Sequence, residues 1–137
     1  MTPDAPALLA LIDDDATFVR AMLRELGDMG FRVRGFTRPE AALRFLCEDQ
    51  DERADAVITD FAMPGLTGSE LCSAVREIAG DGAPPFILLT GSGESLEPSE
   101  RALFDLVLAK PCTGQHLLAA IAEVSRRRES RSDRVAS

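Results

Sequence analysis

Short, continuously apolar runs alternate along the chain with longer segments in which apolar residues recur at helical spacing. The short runs have the length of buried strands, and the longer segments have the periodicity of amphipathic helices. Residues 31–36 differ, because apolar and polar residues alternate there, which predicts a strand with one wetter face. The predicted strands are 7–12, 31–36, 55–59, 85–90 and 106–109, and the predicted helices are 16–30, 39–49, 67–80, 98–104 and 113–128.

Strand and helix alternate five times with short connections, and this order predicts an α/β fold. Right-handed crossovers place such strands in one parallel sheet with helices on both faces. We therefore expect a doubly wound five-stranded parallel sheet with five helices on two faces. A length of 137 residues predicts a single domain. In open sheets of this kind, ligands bind outside the carboxyl ends of the strands.

Charge and composition argue against several classes of protein. The net charge of −8 argues against direct nucleic-acid binding, which needs clustered Lys and Arg. The N-terminal apolar run is too short for a signal sequence or a membrane span. The three cysteines are far apart and form no C-x-x-C motif, which suits free thiols in a cytoplasmic protein.

Both ends of the chain have the composition of unstructured segments. We expect a disordered N-terminus over residues 1–6, a folded domain over 7–127, and a disordered polar and basic tail over 128–137. The tail prediction rests on the stretch RRRESRSDR (126–134), which is highly charged and has no apolar residue. No output domain is therefore expected after the folded domain.

Polar residues stand where four of the predicted strands end, and in a parallel sheet these ends share one edge. They are Asp13, Asp14 and Asp15 after the first strand, Asp60 after the third, Thr90 at the end of the fourth, and Lys110 after the fifth. Crowded carboxylates repel one another unless a cation joins them, and oxygen ligands of this kind fit Mg²⁺. Lys110 and Thr90 are suited to hold phosphoryl oxygens, and Asp60 is a candidate nucleophile.

Simpler structural roles stay open for the same residues. The aspartates after the first strand match a helix cap with an acidic first turn, and Asp15 is the expected cap. Asp60 could begin a turn before Met63, and Thr90 and Lys110 could be ordinary strand-end and surface residues. We interpret His116, the only histidine, as a surface or helix-packing residue rather than a phosphodonor.

Four short stretches together resemble the receiver domain of two-component response regulators. They are LIDDD, VITDFAMPG, LLTGSG and LAKP, and the resemblance covers about residues 7–127. It implies the flavodoxin-like strand order 2-1-3-4-5. It also implies Mg²⁺-dependent acceptance of a phosphoryl group from a histidine kinase or phosphotransfer protein, followed by altered binding to an unknown downstream protein. Such a domain catalyses its own phosphorylation and dephosphorylation, and it is not a turnover enzyme.

The resemblance also assigns a role to each site residue. Asp60 matches the phosphoacceptor, and Thr90 and Lys110 match the switch hydroxyl and the lysine that pairs with phosphate. Asp13 and Asp14 match the Mg²⁺-binding pair, with Asp14 bound directly and Asp13 through water. The Ala62 backbone carbonyl and Asp60 complete the protein ligands, and the Lys110–Pro111 peptide bond is expected to be cis.

Two features depart from the family pattern and affect the expected output. Val107 stands where the family often has an aromatic residue that swings inward when phosphate is bound. The segment between Thr90 and Lys110 is short, so a trimmed or irregular fourth helix is expected.

Three functions are compatible with these observations. The first is a phosphorylated receiver, either a single-domain regulator or a receiver excised from a hybrid kinase, acting as a monomer or weak homodimer. The second is a docking scaffold that works without phosphorylation. The third is an aspartate-nucleophile phosphatase, but Ala62 occupies the position where those enzymes carry a general acid.

Overall fold

The computed structural model describes residues 7–48, 52–91 and 94–136. Strands and helices alternate along this chain as predicted, and the residues expected at 1–6 to be disordered lie outside the described ranges. The strands are β1 (Leu8–Ile12), β2 (Arg32–Phe36), β3 (Ala56–Asp60), β4 (Phe86–Thr90) and β5 (Leu106–Ala109). The helices are α1 (Ala16–Asp28), α2 (Pro39–Glu48), α3 (Gly68–Ala79), α4 (Pro98–Arg101) and α5 (Gly114–Ala136), with a 3₁₀ turn at Gly80–Gly82.

The five strands form one parallel sheet in the order β2-β1-β3-β4-β5, which confirms the predicted fold and strand order. β1 and β3 are buried along their whole length because they lie in the middle of the sheet. β2 is an edge strand with several exposed residues, in agreement with its alternating sequence. Within the described ranges, no helix combines the length and hydropathy needed to cross a bilayer.

The hydrophobic core consists of two layers, one on each face of the sheet. Successive strand residues point to opposite faces, so Leu8 and Ala10 contribute to one layer and Leu9 and Leu11 to the other. The first layer packs against α2 and α3, and the second against α1 and α5. With both faces covered, the strand ends lie outside the two layers, and the predicted site residues follow the carboxyl ends.

Two helices differ in length from the prediction. α4 has four residues rather than the seven expected over 98–104, and this confirms the expectation of a trimmed fourth helix. α5 continues to Ala136, whereas we expected a disordered tail from residue 128. Glu123 pairs with Arg126 and Arg127 at helical spacing, and Arg and Glu are good helix formers. Of these, the helix propensity of Arg and Glu also applies after residue 128, where composition alone indicated disorder.

Candidate functional site

Side chains from four strand ends meet at one edge of the sheet. The register of β1 against β3 places Asp13 beside Asp60. The register of β4 against β5 places Thr90 beside the last residue of β5, and Lys110 follows directly. The parallel sheet therefore brings the predicted residues together. We refer to Asp13, Asp14, Asp60, Thr90 and Lys110 as the rim.

Three carboxylates lie close together within the rim. Carboxylate oxygens of Asp13, Asp14 and Asp60 lie within 4.8 Å of one another. Asp13 and Asp60 are only 1% and 6% exposed, whereas Asp14 is exposed. Asp13 Oδ1 accepts the backbone N–H of Asp15 at 2.9 Å, and Asp60 Oδ1 accepts that of Phe61 at 3.0 Å. These bonds fix the two buried carboxylates in orientation.

Lys110 supplies the only side-chain cation that the described residues bring to this cluster. Its Nζ donates a hydrogen bond to Asp13 Oδ2 at 2.8 Å and lies 3.2 Å from Asp60 Oδ1. The backbone N–H of Lys110 donates to the Thr90 carbonyl at 2.8 Å, and the Lys110–Pro111 peptide bond is cis as expected. One ammonium is thus shared between two buried carboxylates.

The electrostatics of the rim shift the pKa values of its groups. Burial raises the pKa of Asp60 to about 6, Asp13 adds repulsion, and the Lys110 charge opposes both. Burial works to lower the pKa of Lys110, but its hydrogen bond to Asp13 and its attraction to both carboxylates raise it above the ordinary value. Above about pH 6, Asp60 is therefore a carboxylate held near a protonated lysine.

The donor set of the rim fits a divalent cation that prefers oxygen. One ammonium cannot neutralise three carboxylates, so the cluster keeps an excess of negative charge. Carboxylate oxygens at this separation are hard donors of the kind that Mg²⁺ takes, usually with several waters. Ala62 is exposed two residues after Asp60, and the role of its carbonyl as a ligand stays a prediction.

Thr90 and the segment after it are held by contacts of their own. The half-buried Thr90 hydroxyl donates to the Leu108 carbonyl on β5 at 3.4 Å. The backbone N–H of Gly91 donates to Glu94 Oε1 at 2.6 Å. Val107 is half-buried on β5 and packs against the core layer that faces α2 and α3. Thr90 therefore bonds to the neighbouring strand in this structure.

Other residues singled out from the sequence have structural roles. Asp15 is confirmed as the cap of α1, because its side chain accepts the N–H groups of Thr17 and Phe18. His116 is exposed, and its Nδ1 accepts the N–H of Thr113 at 3.0 Å at the start of α5, which agrees with a surface role. Burial raises the pKa of the Cys112 thiol beside Lys110, so this thiol is neutral.

Sequence reasoning missed two residues that shape the rim. Gly68 lies at the start of α3, where an added Cβ would be 2.5 Å from the Asp60 carbonyl oxygen. Phe18 lies within the helix predicted over 16–30, and its ring centroid is 5.2 Å from Lys110 Nζ. A glycine at a helix start is a weak signal of close approach, and the sequence carries no signal of the Phe18 contact.

Comparison with known proteins places the chain among response regulators. Residues 9–122 match the family model described as response regulator receiver domain. The chain is 34% identical to the transcriptional regulatory protein AfsQ1 of Streptomyces coelicolor, over 96% of this chain and 56% of that protein. It is 32% identical to the phosphoglycerate transport system transcriptional regulatory protein PgtA of Salmonella typhimurium, over 89% of this chain and 29% of that protein.

Solved structures give the same result. The crystal structure of a response regulator receiver domain protein from Clostridium thermocellum superposes with a TM-score of 0.79 and 28% identity. That match covers 90% of this chain and 97% of the other. The chain therefore has the length of a receiver domain, but it spans less than two thirds of these curated relatives.

Proposed function

The chain belongs to the family of response regulator receiver domains, and on that premise we propose that Asp60 accepts a phosphoryl group in two-component signal transduction. The donor is a histidine kinase or a phosphotransfer protein. The phosphorylated domain then changes its binding to a downstream protein. The domain accelerates its own phosphorylation and dephosphorylation but does not turn over a separate substrate.

The single observation that carries this proposal is the position of the Lys110 ammonium between Asp13 and Asp60. An Asp60 oxygen forms the new bond to phosphorus while the bond from phosphorus to the donor's leaving group breaks. The electron pair of that bond leaves with the imidazole of a phosphohistidine, or with the acetate of acetyl phosphate. Lys110 then pairs with the new phosphoryl oxygens, and the Thr90 hydroxyl turns to donate to one of them.

Mg²⁺ is the cofactor that the donor set supports. Asp14, Asp60 and the Ala62 carbonyl would hold it directly, and Asp13 would hold it through water. When bound, the cation supplies positive charge that offsets repulsion between the incoming phosphoryl group and the carboxylates. The proposal is supported by the three carboxylates, which are close enough to share one ion.

The partners of the chain follow from the same premise. Several relatives are named as transcriptional regulators, but they are longer than this chain, so their output cannot be carried over. We propose a protein partner rather than direct nucleic-acid binding, because the chain has a net charge of −8. Cys47, Cys72 and Cys112 are free, which suits a cytoplasmic domain. We propose that it acts as a monomer or weak homodimer.

Specific residues bear on the two alternative functions. A docking scaffold that works without phosphorylation is favoured only by Val107, which removes the rotating aromatic residue of many receivers. An aspartate-nucleophile phosphatase needs a general acid two residues after the nucleophile, and Ala62 has no proton to give. The intact rim therefore favours phosphoryl acceptance.

Incubation with acetyl phosphate and Mg²⁺, followed by intact-mass measurement, tests the proposal. We expect the addition of one phosphoryl group to the wild type and none to Asp60→Asn. Asp81→Asn is a matched control, because Asp81 is an exposed carboxylate at the opposite edge of the sheet. It should be phosphorylated like the wild type.

Each other outcome contradicts the proposal in a specific way. No added mass on the wild type would favour the docking scaffold. Added mass on Asp60→Asn would show that the acceptor assignment is wrong. Steady hydrolysis of a small phosphoester, at a rate far above the decay of the phosphorylated protein, would favour the phosphatase.

A further inference from the structure

Lys110 has a third neighbour that neither the metal cluster nor the phosphoacceptor accounts for. Its Nζ lies 5.2 Å from the centroid of the Phe18 ring. This separation is within the distance at which an ammonium is attracted to the negative face of an aromatic ring. Lys110 is also the only lysine among the 15 Lys and Arg residues of the chain.

The backbone at Phe18 is tied to the rim through the side chain of Asp15. Asp15 Oδ1 accepts the backbone N–H of Phe18 at 3.2 Å, and Asp13 Oδ1 accepts the backbone N–H of Asp15 at 2.9 Å. Lys110 Nζ returns to Asp13 Oδ2 at 2.8 Å. Asp13, Asp15, Phe18 and Lys110 therefore form a closed ring of contacts that joins the first turn of α1 to the end of β5.

An aromatic face suits this position for a physical reason. A lysine ammonium is a strongly hydrated point charge on a flexible stem, and its side chain here is 27% exposed. The ring attracts the charge and displaces water on one side, but it takes no proton and forms no ion pair. Lys110 can therefore turn from Asp13 and Asp60 toward a phosphoryl oxygen without breaking a third strong bond.

We propose that Phe18 is a positioning residue for phosphoryl transfer, whose ring face holds the Lys110 ammonium over the rim between Asp13 and Asp60. This inference rests on the proposed function of Asp60. Phe18 acts through Lys110 and touches no reacting atom.

The simpler alternative is that Phe18 only fills space. Its ring is half-buried and packs beside the core layer that faces α1 and α5. A space-filling role depends on the size of the side chain, whereas a positioning role depends on the charge distribution of the ring face. Fluorine atoms on the ring weaken the negative face with little change in size, so they separate the two roles.

The test replaces Phe18 site-specifically with phenylalanines carrying an increasing number of ring fluorines. The rate of phosphoryl uptake from acetyl phosphate and Mg²⁺ is measured by intact mass. We expect the rate at saturating donor to fall stepwise with fluorination, to roughly a half to a tenth of the wild-type value for the most fluorinated ring. Phe18→Leu should lower the rate as much as the most fluorinated ring does, and Phe18→Trp, which keeps an aromatic face, should have the wild-type rate.

A matched control uses the same substitutions at Phe45. The guanidinium of Arg34 lies 5.5 Å from the centroid of the Phe45 ring, so a cation again faces an aromatic ring. This pair joins β2 to α2, and neither residue belongs to the rim. Fluorination of Phe45 should leave the rate of phosphoryl uptake unchanged.

A second measurement does not depend on phosphorylation. With a single lysine, protein labelled with ¹³C at the lysine ε-carbon gives one side-chain signal. Its ε-protons should be shifted upfield by the Phe18 ring current in the wild type, and this shift should disappear in Phe18→Leu. An unshifted signal in the wild type would overturn the contact itself.

The two proposals fail in distinguishable ways. If the wild type takes up no phosphoryl group, the proposed function fails, and the role of Phe18 in phosphoryl transfer fails with it even where the ring-current shift is present. If the wild type is phosphorylated on Asp60 but uptake is insensitive to fluorination of Phe18, only the positioning role is overturned.

Discussion

Replacing Asp60 by asparagine is expected to stabilise the fold while it removes the phosphoacceptor. Asp60 is 6% exposed, and its pKa is raised from 3.8 to about 6 by burial and by Asp13. The folded protein therefore binds this proton more tightly than the unfolded chain does. Asparagine keeps the size of the side chain and an oxygen to accept the Phe61 N–H, but it has no charge to bury.

The magnitude follows from the shift in pKa. One pKa unit corresponds to about 1.4 kcal/mol, so an increase of about 2 units corresponds to roughly 3 kcal/mol. The Lys110 side chain that faces Asp60 is partly exposed, and allowing for solvent screening leaves about 2 kcal/mol. The ionised form is disfavoured in the folded state, so the wild type loses this stability as the pH rises from about 4 to about 6.

Urea unfolding followed by far-ultraviolet circular dichroism is the suitable assay, because the chain has no Trp or Tyr for fluorescence. In EDTA at about pH 8, the Asp60→Asn variant should unfold at higher urea than the wild type, and the difference should shrink toward about pH 4. Asp81→Asn makes the same change in net charge and should show neither effect. An Asp60→Asn variant no more stable than the wild type at the higher pH would refute the burial argument.

Three further predictions concern the same edge of the sheet. Millimolar Mg²⁺ should raise the melting temperature of the wild type, and Asp14→Asn should lose most of this rise; equal shifts in both proteins would contradict the proposed ligand set. Lys110→Met should lower the free energy of unfolding in EDTA by about 3 kcal/mol, because it leaves two buried carboxylates without their cation, and unchanged urea unfolding would count against that pairing. Beryllofluoride, a phosphoryl mimic, should change hydrogen exchange mainly over residues 91–104. A response confined to another face would rule out a signal that passes from Thr90 through this segment.

The position of the site was predictable from the sequence because one rule determines where most of its residues lie. Buried parallel strands end at a common edge, so a polar residue directly after each apolar run must lie at that edge. This rule placed Asp13, Asp60, Thr90 and Lys110 correctly without any knowledge of their contacts. The same rule cannot reveal which carboxylate the lysine contacts, because that depends on side-chain geometry.

The contact with Phe18 was not predictable for a different reason. Helical periodicity assigns Phe18 to the apolar face of α1 but does not show which residues that face contacts. Whether that face meets only the core or also the residue after β5 depends on how α1 sits on the sheet. Gly35 contributes to this packing, because an added Cβ there would be 2.7 Å from Val19 on α1. Close approach of this kind is a tertiary property.

The C-terminal ends of α4 and α5 differ from the prediction, because local helix propensity and tertiary contacts both determine where a helix ends. Composition indicated disorder after residue 127, but the Arg and Glu residues of that segment are good helix formers. The reverse holds for α4, which ends at Arg101 although its apolar pattern extends further. There the Leu103 carbonyl is bonded by the guanidinium of Arg76 from α3 at 2.8 Å, so a tertiary contact satisfies an acceptor near the helix end.

On the proposed function, we expect the output of the domain to begin at Thr90, because Val107 cannot supply the aromatic movement of many receivers. Valine is β-branched and stiff, and it is too small to sweep between buried and exposed positions. The Thr90 hydroxyl now donates to the Leu108 carbonyl at 3.4 Å, which is a long hydrogen bond. A phosphoryl oxygen on Asp60 would be a stronger acceptor, so turning Thr90 toward it costs little.

What happens beyond Thr90 depends on where the following segment is anchored. Its far end is fixed, because Arg76 donates to the Leu103 carbonyl at 2.8 Å and lies 3.2 Å from Asp105 Oδ2. Asp105 in turn accepts the backbone N–H of Phe86 at 2.8 Å, which ties that end to the start of β4. If Thr90 turns toward a phosphoryl group, we therefore expect the backbone between Thr90 and Leu103, which includes the short α4, to take up the displacement.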